Sequence, residues 1–246
     1  MVRNVIFDWS GTLVDDLPAV LEASNYVFQQ AGVAKMTLDR FRSEFCLPFT
    51  RFYDRYVPHV PMAQLEEWFH TAFRRSQHLV AEIPHARAFL EFCRHRGLRT
   101  FLLSSVHRDH YAAQASATGF GEYLDHVFVE VRDKCARIGS VLTDHRLAPR
   151  ETIFIGDMEH DVEAARAGGV FACAVLTGYN HAHQLHACRP DLIVGHLGEL
   201  QEHFIRHGLE LDGHRLAPLS GCSDAPSAQT AARPVPALSS AGASLS

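Results

Sequence analysis

Residues 4–13 read NVIFDWSGTL, a short apolar run that passes directly into an aspartate, a glycine and a hydroxyl residue. Asn4–Phe7 has the length and composition of a strand that is buried on both faces of a parallel sheet. Open parallel sheets bind ligands outside the carboxyl ends of their strands. Asp8 stands at such an end, and the turn through Gly11 and Thr12 can point backbone amides at an anion. A lone motif of this kind is also typical of a strand end with a capping aspartate, so it needs partners at other strand ends.

Alternating strand and helix patterns follow this first strand. Further strands are predicted at Arg99–Leu103, His126–Val131, Thr152–Ile155, Phe171–Val175 and Leu192–Val194. Helical patterns lie between them, at 86–97 with a closing glycine, His110–Ala117, Lys134–Leu142, Asp161–Ala167 and Leu197–Arg206. This alternation predicts an α/β fold with a doubly wound parallel sheet.

Two segments depart from the alternation. Residues 15–82 show only helical patterns, so we predict an inserted helical cap there, called the cap segment below. The α/β core then comprises residues 1–14 and 83–212. Residues 213–246 are rich in Ala, Ser and Pro, without helical or strand periodicity, and are predicted to be a disordered tail.

Composition limits the possible partners and the compartment. The 246 residues carry a net charge of -5 and no long basic run, so neither nucleic acid nor a membrane surface is an expected partner. No stretch approaches the length of a membrane span, and the first residues are too short in their apolar part for a signal peptide. The six cysteines show no paired spacing, which favours free thiols and a cytoplasmic location. The sequence leaves monomer and homodimer open.

Polar residues follow three of the other predicted strands. The strand at 99–103 runs into Ser104 and Ser105, whose hydroxyls can bind phosphate oxygens. The strand at 152–155 leads to Asp157, and Asp161 follows in the first turn of the next helix. Lys134 begins a predicted helix after the strand at 126–131. Because carboxylate oxygens suit Mg²⁺, the set predicts a magnesium and phosphate site.

The order and spacing of these motifs resemble those of the haloacid dehalogenase superfamily of phosphotransferases. Within it, the sequence is similar to the phosphoglycolate phosphatase-like branch, which has a Rossmann-like core and a helical cap. The family motifs match at Asp8 with the following GTL, at Ser104, at Lys134, and at Asp157 with Asp161. The run DVEAARAGG after the last motif also matches. The resemblance covers roughly residues 3 to 206.

The resemblance implies a role for each matching position. Asp8 would attack phosphorus and form an aspartyl-phosphate on a small phosphorylated metabolite. Mg²⁺ would lie between Asp8, the carbonyl of Ser10 and Asp157, with Asp161 binding through water or holding Lys134. Further contacts to the phosphoryl group would come from Ser104, Ser105, Lys134 and the amide of Trp9.

Ser10 departs from the family pattern, in which a second aspartate usually follows the nucleophile by two residues. That aspartate protonates the leaving group, a contribution of roughly two to four powers of ten in rate. Three explanations stay open at this stage. The substrate's leaving group needs little protonation, as in an acyl phosphate; or another group such as Asp16 supplies the proton; or the chemistry is C–P cleavage, as in the phosphonoacetaldehyde hydrolases.

Those hydrolases use a cap lysine to form a Schiff base, whereas the matching stretch here has Thr50 and Arg51. Lys35 is the only lysine in the cap segment, so C–P cleavage ranks second, and a weakly active phosphate-binding regulator ranks third. Arg51 is a candidate ligand for a second anionic group on the substrate, and the alternative is a surface arginine. His107 and His110 follow the second motif closely enough to border the pocket, but surface or capping roles are expected for both.

Overall fold

The computed structural model describes residues 1–210. The predicted disordered tail at 213–246 therefore lies outside the described residues, as do the last two residues of the predicted core. No helix within residues 1–210 combines the length and the hydropathy that a membrane crossing needs.

Six parallel strands form the central sheet, in the order β5-β4-β1-β6-β7-β8. The strands of the chain are β1 (Asn4–Phe7), β2 (Val14–Asp15), β3 (Ala81–Glu82), β4 (Arg99–Leu103), β5 (His126–Phe128), β6 (Thr152–Gly156), β7 (Phe171–Val175) and β8 (Leu192–Val194). All six strands predicted from sequence are present. The strand predicted at His126–Val131 ends early, at Phe128, because Glu130 adopts a left-handed backbone conformation with φ of 59°.

Helices connect the strands and cover both faces of the sheet. They are α1 (Leu17–Gln30), α2 (Leu38–Glu44), α3 (Phe49–Tyr56), α4 (Met62–Ser76), α5 (Ala86–His95), α6 (Arg108–Thr118), α7 (Lys134–Asp144), α8 (Glu159–Gly168), α9 (Ala182–Cys188) and α10 (Leu197–His207). The helix predicted to close at Gly97 does so, and Gly97 has the positive φ of 67° that a helix end of this kind requires.

Side chains of β1 alternate between two hydrophobic layers, as the pleat of a strand dictates. Val5 and Phe7 pack with the layer that contains Phe89 of α5 and Phe204 of α10. Ile6 points the other way, into a second layer filled from α7 and α8. Both faces of the sheet are therefore covered, which confirms the doubly wound architecture.

The cap segment contains the four helices α1 to α4. Ala19 and Ala23 of α1 pack against Ala72 and Phe73 of α4, so the two helices lie side by side. The prediction of helices alone is wrong at the ends of the segment, where Val14–Asp15 and Ala81–Glu82 pair as an antiparallel ribbon. The ribbon brings the two connections to the core together, near the predicted boundaries. The division into two domains at those boundaries stays a prediction.

Candidate active site

Three neighbouring strands bring the predicted motif residues to one edge of the sheet. Strand β1 lies between β4 and β6, with Phe7 level with Leu102 on one side and with Ile155 on the other. Asp8 follows Phe7 directly, and Ser104 and Asp157 each lie one residue beyond the level of Asp8. The sequence prediction that these strand ends share one site therefore agrees with the register.

Asp8 is held by two hydrogen-bond donors. One of its oxygens, Oδ1, accepts a hydrogen bond from the backbone amide of Trp9 at 2.7 Å. The other, Oδ2, lies 2.8 Å from Nζ of Lys134. The carboxylate is thus fixed in orientation at the end of β1, where it can face a ligand.

Lys134 joins two of the carboxylates. Its ammonium lies 2.6 Å from Oδ1 of Asp161 and 2.8 Å from Oδ2 of Asp8, and its side chain is fully buried. Burial by itself lowers the pKa of a lysine, but the charges of Asp161 and Asp8 outweigh it and raise the pKa of Lys134 above its usual value. Lys134 therefore stays protonated and supplies a fixed positive charge.

Asp157 is held from the opposite side of the site. Thr12 donates its hydroxyl hydrogen bond to Oδ1 at 2.9 Å, and the amide of Tyr179 donates to Oδ2 at 2.8 Å. Gly11, with φ of 73°, lies so close that a Cβ atom there would overlap the carboxylate. Burial and the charges of Asp8 and Asp161 raise the pKa of Asp157 well above its usual value. The carboxylate is therefore destabilised unless a cation joins it.

The charge balance of the site fits a divalent cation. Asp8, Asp157 and Asp161 place three carboxylate oxygens within 4.8 Å of one another, and all three residues are buried. Lys134 compensates one of the three negative charges, which leaves two for a bound ion to neutralise. Hard carboxylate donors of this kind suit Mg²⁺. Asp161 reaches Lys134 directly and accepts a hydrogen bond from the amide of Met158, so holding Lys134 is the role that its contacts support.

The remaining predicted phosphate ligands differ in their surroundings. Ser104 is buried at the end of β4, where its Oγ accepts a hydrogen bond from the amide of Val106 at 3.3 Å. Ser105 lines the pocket described below. The amide of Trp9 is occupied by Asp8, and the Trp9 ring is buried against Tyr111. The contact of the Trp9 amide in this structure is therefore with the carboxylate of Asp8.

Ser10 contacts a second buried carboxyl group, that of Asp16. Its hydroxyl donates a hydrogen bond of 2.6 Å to Oδ2 of Asp16, and the hydroxyl of Tyr179 donates one of 2.8 Å to Oδ1. Asp16 is buried and, like Ser10 and Asp8, lines the pocket. Burial raises the pKa of Asp16 from its ordinary value of 3.8 to about 6, and the two hydrogen bonds offset part of this effect. Ser10 is therefore hydrogen-bonded to Asp16, a carboxyl group that holds a proton more readily than an exposed aspartate does.

A pocket of about 480 Å³ lies above this site. Asp8, Ser10 and Asp16 form its polar floor. Its walls on the cap side are mostly apolar, formed by Val20, Phe45, Leu47, Phe49, Tyr53, Met62, Leu65, Phe69 and Phe73. The volume falls within the usual range of about 300–1,000 Å³ for small-molecule sites.

Comparison with known proteins agrees with this geometry. Residues 5–175 match the family described as haloacid dehalogenase-like hydrolase. The chain belongs to this family of hydrolases. The resemblance seen in the sequence motifs is thereby confirmed.

Named relatives of this haloacid dehalogenase-like hydrolase include phosphoglycolate phosphatases. That of Pseudomonas fluorescens is 24% identical over 212 residues, which cover 80% of this chain and 78% of the relative. That of Synechococcus elongatus is 26% identical over 203 residues, which cover 78% of this chain and 92% of the relative.

Solved structures show the same fold at low sequence identity. A haloacid dehalogenase-like hydrolase from Streptococcus pneumoniae superimposes with a TM-score of 0.71 at 21% identity, covering 82% of this chain and 98% of that one. A predicted phosphatase from Clostridium acetobutylicum gives a TM-score of 0.75 at 17% identity, covering 84% and 100%. At these identities the likeness supports the fold alone.

The surroundings of Arg51 and His110 bear on the roles predicted for them. Arg51, the candidate ligand for a second anionic group, lies exposed on α3 and outside the residues that line the pocket, which favours the alternative of a surface arginine. Its neighbours Phe52 and Tyr53 take the buried face of the helix instead. A surface role for His110 is wrong, because His110 is buried and lines the pocket. The capping role expected of His107 is confirmed, since its Nδ1 accepts a hydrogen bond from the amide of Asp109.

Sequence reasoning missed Tyr179 and His70. Tyr179 holds both Asp16 and Asp157, although it follows β7 and belongs to none of the motifs. His70 comes from α4 and contacts His110, so the partner of that histidine lies 40 residues away in sequence. Neither residue's contacts can be predicted from the spacing of nearby residues in the sequence.

Proposed function

We propose that this hydrolase is a Mg²⁺-dependent phosphatase that acts on a small phosphate monoester through an aspartyl-phosphate on Asp8. One observation carries the proposal: the buried cluster of Asp8, Asp157 and Asp161, with Lys134 between two of them, retains two uncompensated negative charges at the ends of adjacent strands. The names of the relatives, which are phosphoglycolate phosphatases, support the same class of reaction.

Asp8 is the nucleophile in this account. Its carboxylate attacks phosphorus, the bond from phosphorus to the leaving oxygen breaks, and the phosphoryl group stays on Asp8. Asp8, Asp157 and the carbonyl of Ser10 would hold Mg²⁺, which would supply positive charge to balance the phosphoryl oxygens. Lys134 keeps the Asp8 carboxylate oriented and adds a positive charge beside it.

Asp16 supplies the proton that a serine at position 10 does not supply alone. The protonated carboxyl of Asp16 gives its proton to Oγ of Ser10, while the Ser10 hydroxyl gives its own proton to the departing oxygen. In the second step the flow reverses: water attacks phosphorus, Ser10 takes a proton from that water, and Asp16 takes one from Ser10. The hydrogen bond of 2.6 Å between Ser10 and Asp16 supports this relay.

The apolar walls of the pocket bear on the substrate. Aromatic and aliphatic side chains of the cap segment face the floor that holds Asp8. Histidines aside, Arg132 is the only cationic side chain among the described residues that line the pocket, and it is paired with Glu66 at 3.2 Å. We therefore expect the organic part of the substrate to be apolar and larger than a two-carbon acid.

The described residues that line the pocket do not favour C–P cleavage, the second-ranked chemistry. C–P cleavage through a Schiff base needs a lysine at the substrate, and none of the described residues that line the pocket is a lysine. Lys35, the one lysine of the cap segment, is exposed and does not line the pocket.

A substrate screen tests the proposal. The protein is assayed for phosphate release from alkyl and aryl phosphates, phosphoglycolate, acyl phosphates and phosphonoacetaldehyde, with Mg²⁺ or with EDTA. We expect Mg²⁺-dependent turnover, with kcat/KM higher for monoesters that carry an apolar group than for phosphoglycolate. Binding of phosphate analogues without turnover of any compound would instead indicate a regulatory protein, and release from phosphonoacetaldehyde alone would indicate C–P cleavage.

A further inference from the structure

Three histidines meet among the residues that line the pocket, in a group separate from Asp8, Asp157 and Asp161. His70 belongs to α4 of the cap segment, whereas His107 and His110 lie at the start of α6 in the core. One ligand nitrogen from each lies within 4.8 Å of the other two. We call these three residues the histidine cluster. It has no part in the phosphatase chemistry proposed above.

The environment of the cluster favours neutral imidazoles. Burial, followed by the charges of neighbouring histidines, lowers the pKa of His110 to about 3, and burial likewise lowers the pKa of His70. The ring of His110 stacks on Phe73, with ring centroids 4.1 Å apart. Near neutral pH these two rings therefore keep lone pairs that can bind a metal ion.

The separation of two of the nitrogens fits a tetrahedral ion. Nδ1 of His70 lies 3.3 Å from Nε2 of His110. Two nitrogens bound to one tetrahedral zinc at about 2.0–2.1 Å lie about 3.3 Å apart. That distance is at the long end for a hydrogen bond between two nitrogens. The pair is therefore spaced as two ligands of one metal ion would be.

His107 can complete a set of three ligands by moving one proton. In this structure its Nδ1 accepts a hydrogen bond from the amide of Asp109, so Nε2 carries the proton. Binding through Nε2 transfers that proton to Nδ1, where the carboxylate of Asp109, now 4.0 Å away, can accept a hydrogen bond. Carboxylates commonly orient metal-binding histidines in this way. Glu130, 3.6 Å from Nε2 of His107, is paired with Arg108 at 3.3 Å and lies outside this group of three ligands.

We propose that the histidine cluster is a second metal site, selective for a zinc-class ion, that ties α4 of the cap segment to α6 of the core. Imidazole donors favour zinc over magnesium, whereas the carboxylate site has the opposite preference. Because His70, His107 and His110 all line the pocket, an ion bound there restricts the path of the substrate to Asp8. Zinc then acts as an inhibitor that holds the cap segment against the core.

Cobalt provides a probe that is independent of turnover. The full chain, without a polyhistidine tag and with saturating Mg²⁺ on the carboxylates, is titrated with Co²⁺ while its visible absorption is recorded. We expect the intense visible bands of a tetrahedral cobalt site, saturating at one ion per chain and lost on addition of Zn²⁺. His70→Gln and His110→Gln should each weaken binding at least tenfold.

Matched variants separate this site from other possible ones. Asp133, Cys135 and His160 form another group of possible metal ligands, so Cys135→Ser tests that group, and His183→Gln tests a histidine on α9. Both controls should keep the cobalt spectrum. Circular dichroism and thermal unfolding check that each variant is folded, and His107→Gln replaces any variant that is not.

Several results would overturn the proposal. One is a spectrum that persists in folded His70→Gln and His110→Gln, and another is a spectrum that disappears in Cys135→Ser. Absence of cobalt binding below millimolar concentration would also overturn it. The inhibitory role fails if zinc binds to the cluster but slows wild-type turnover no more than that of His70→Gln. Since metal binding is read by absorption, the test of the metal site stands whether or not the proposed phosphatase function holds, and only the inhibitory role rests on that function.

Discussion

The hydroxyl of Ser10 donates a hydrogen bond of 2.6 Å to the carboxylate of Asp16, inside the pocket that also contains Asp8. A carboxyl group, which position 10 lacks, is thus present six residues later, in contact with Ser10. Tyr179 fixes the other carboxylate oxygen of Asp16. These contacts make proton transfer between Asp16 and Ser10 testable by substitution.

Replacing Asp16 should slow the reaction according to the leaving group. We expect Asp16→Asn to lower kcat/KM, which reports formation of the aspartyl-phosphate, by about 10²–10⁴ for alkyl phosphates, because their leaving oxygens need a proton. The loss in kcat/KM should be less than about tenfold for acyl phosphates, whose leaving groups need little protonation. Steady-state rates over a series of leaving groups measure the difference. Asp15→Asn is the control, and equal losses for both substrate types would contradict the relay.

Exchanging Ser10 and Asp16 should preserve the function of the pair. Ser10→Asp alone places a second carboxylate against Asp16, so we expect lower stability and a raised pKa for one of the two acids. The double variant with Ser10→Asp and Asp16→Ser restores one acid and one hydroxyl. We expect it to be more stable than Ser10→Asp and more active than Asp16→Ser. A double-mutant cycle measures the coupling, and strictly additive effects would show that the residues act independently.

The pH dependence of stability without metal should reveal the charge of Asp157. Because its pKa is raised in the folded state, the folded protein holds the proton more tightly than the unfolded chain does. The contribution of Asp157 to stability is therefore greatest below the ordinary pKa of 3.8 and is lost as the pH rises through the raised value. Asp16 contributes a similar loss between 3.8 and about 6.

Asp157→Asn isolates the larger of these effects. In EDTA at pH 8 we expect the variant to have a higher Tm than the wild type, by about 2–4 °C for each kcal/mol gained. An asparagine can keep both contacts, since its oxygen accepts from the amide of Tyr179 and its NH₂ can donate to Thr12. Mg²⁺ should raise the Tm of the wild type only. A variant that is less stable than the wild type in EDTA would contradict the charge balance described for this site.

Arg51, the candidate from the sequence, and Arg132, which lines the pocket, should behave differently on substitution. Arg51 is exposed outside the pocket, so Arg51→Gln should leave kcat/KM within about twofold of the wild type. Arg132 lines the pocket, so Arg132→Gln should raise KM for substrates with a second anionic group and leave it unchanged for uncharged alkyl phosphates. Kinetics of both variants on matched substrates test this. A rise in KM with Arg51→Gln alone would support the sequence prediction.

The sequence was sufficient for the core and for the motif residues. Asp8, Ser104 and Asp157 could be placed together because each follows a strand of one parallel sheet, where chain order and strand ends determine position. In the helical cap segment, no comparable rule relates a residue's place in the sequence to the side that faces the pocket. Which face of α3 is buried depends on the packing of Phe52 and Tyr53, so the exposure of Arg51 could not be read from spacing.

Contacts between distant segments were also beyond sequence reasoning. His110 meets His70 only because α4 packs beside α6, and Tyr179 reaches Asp16 from a loop after β7. Asp16 was one of several possible proton donors in the sequence, and only its distance from Ser10 singles it out. Short elements were missed for a similar reason, since the ribbon of Val14–Asp15 and Ala81–Glu82 has two residues in each strand.

Trapping the covalent intermediate tests the central role of Asp8 most directly. The protein is mixed with Mg²⁺ and an aryl phosphate, quenched with acid within the first turnover, reduced with borohydride and analysed by peptide mass spectrometry. Borohydride converts an aspartyl-phosphate to homoserine, so the account predicts homoserine at position 8 and none in Asp8→Asn. Phosphate release with no modification at position 8, or with modification of a different residue, would contradict it.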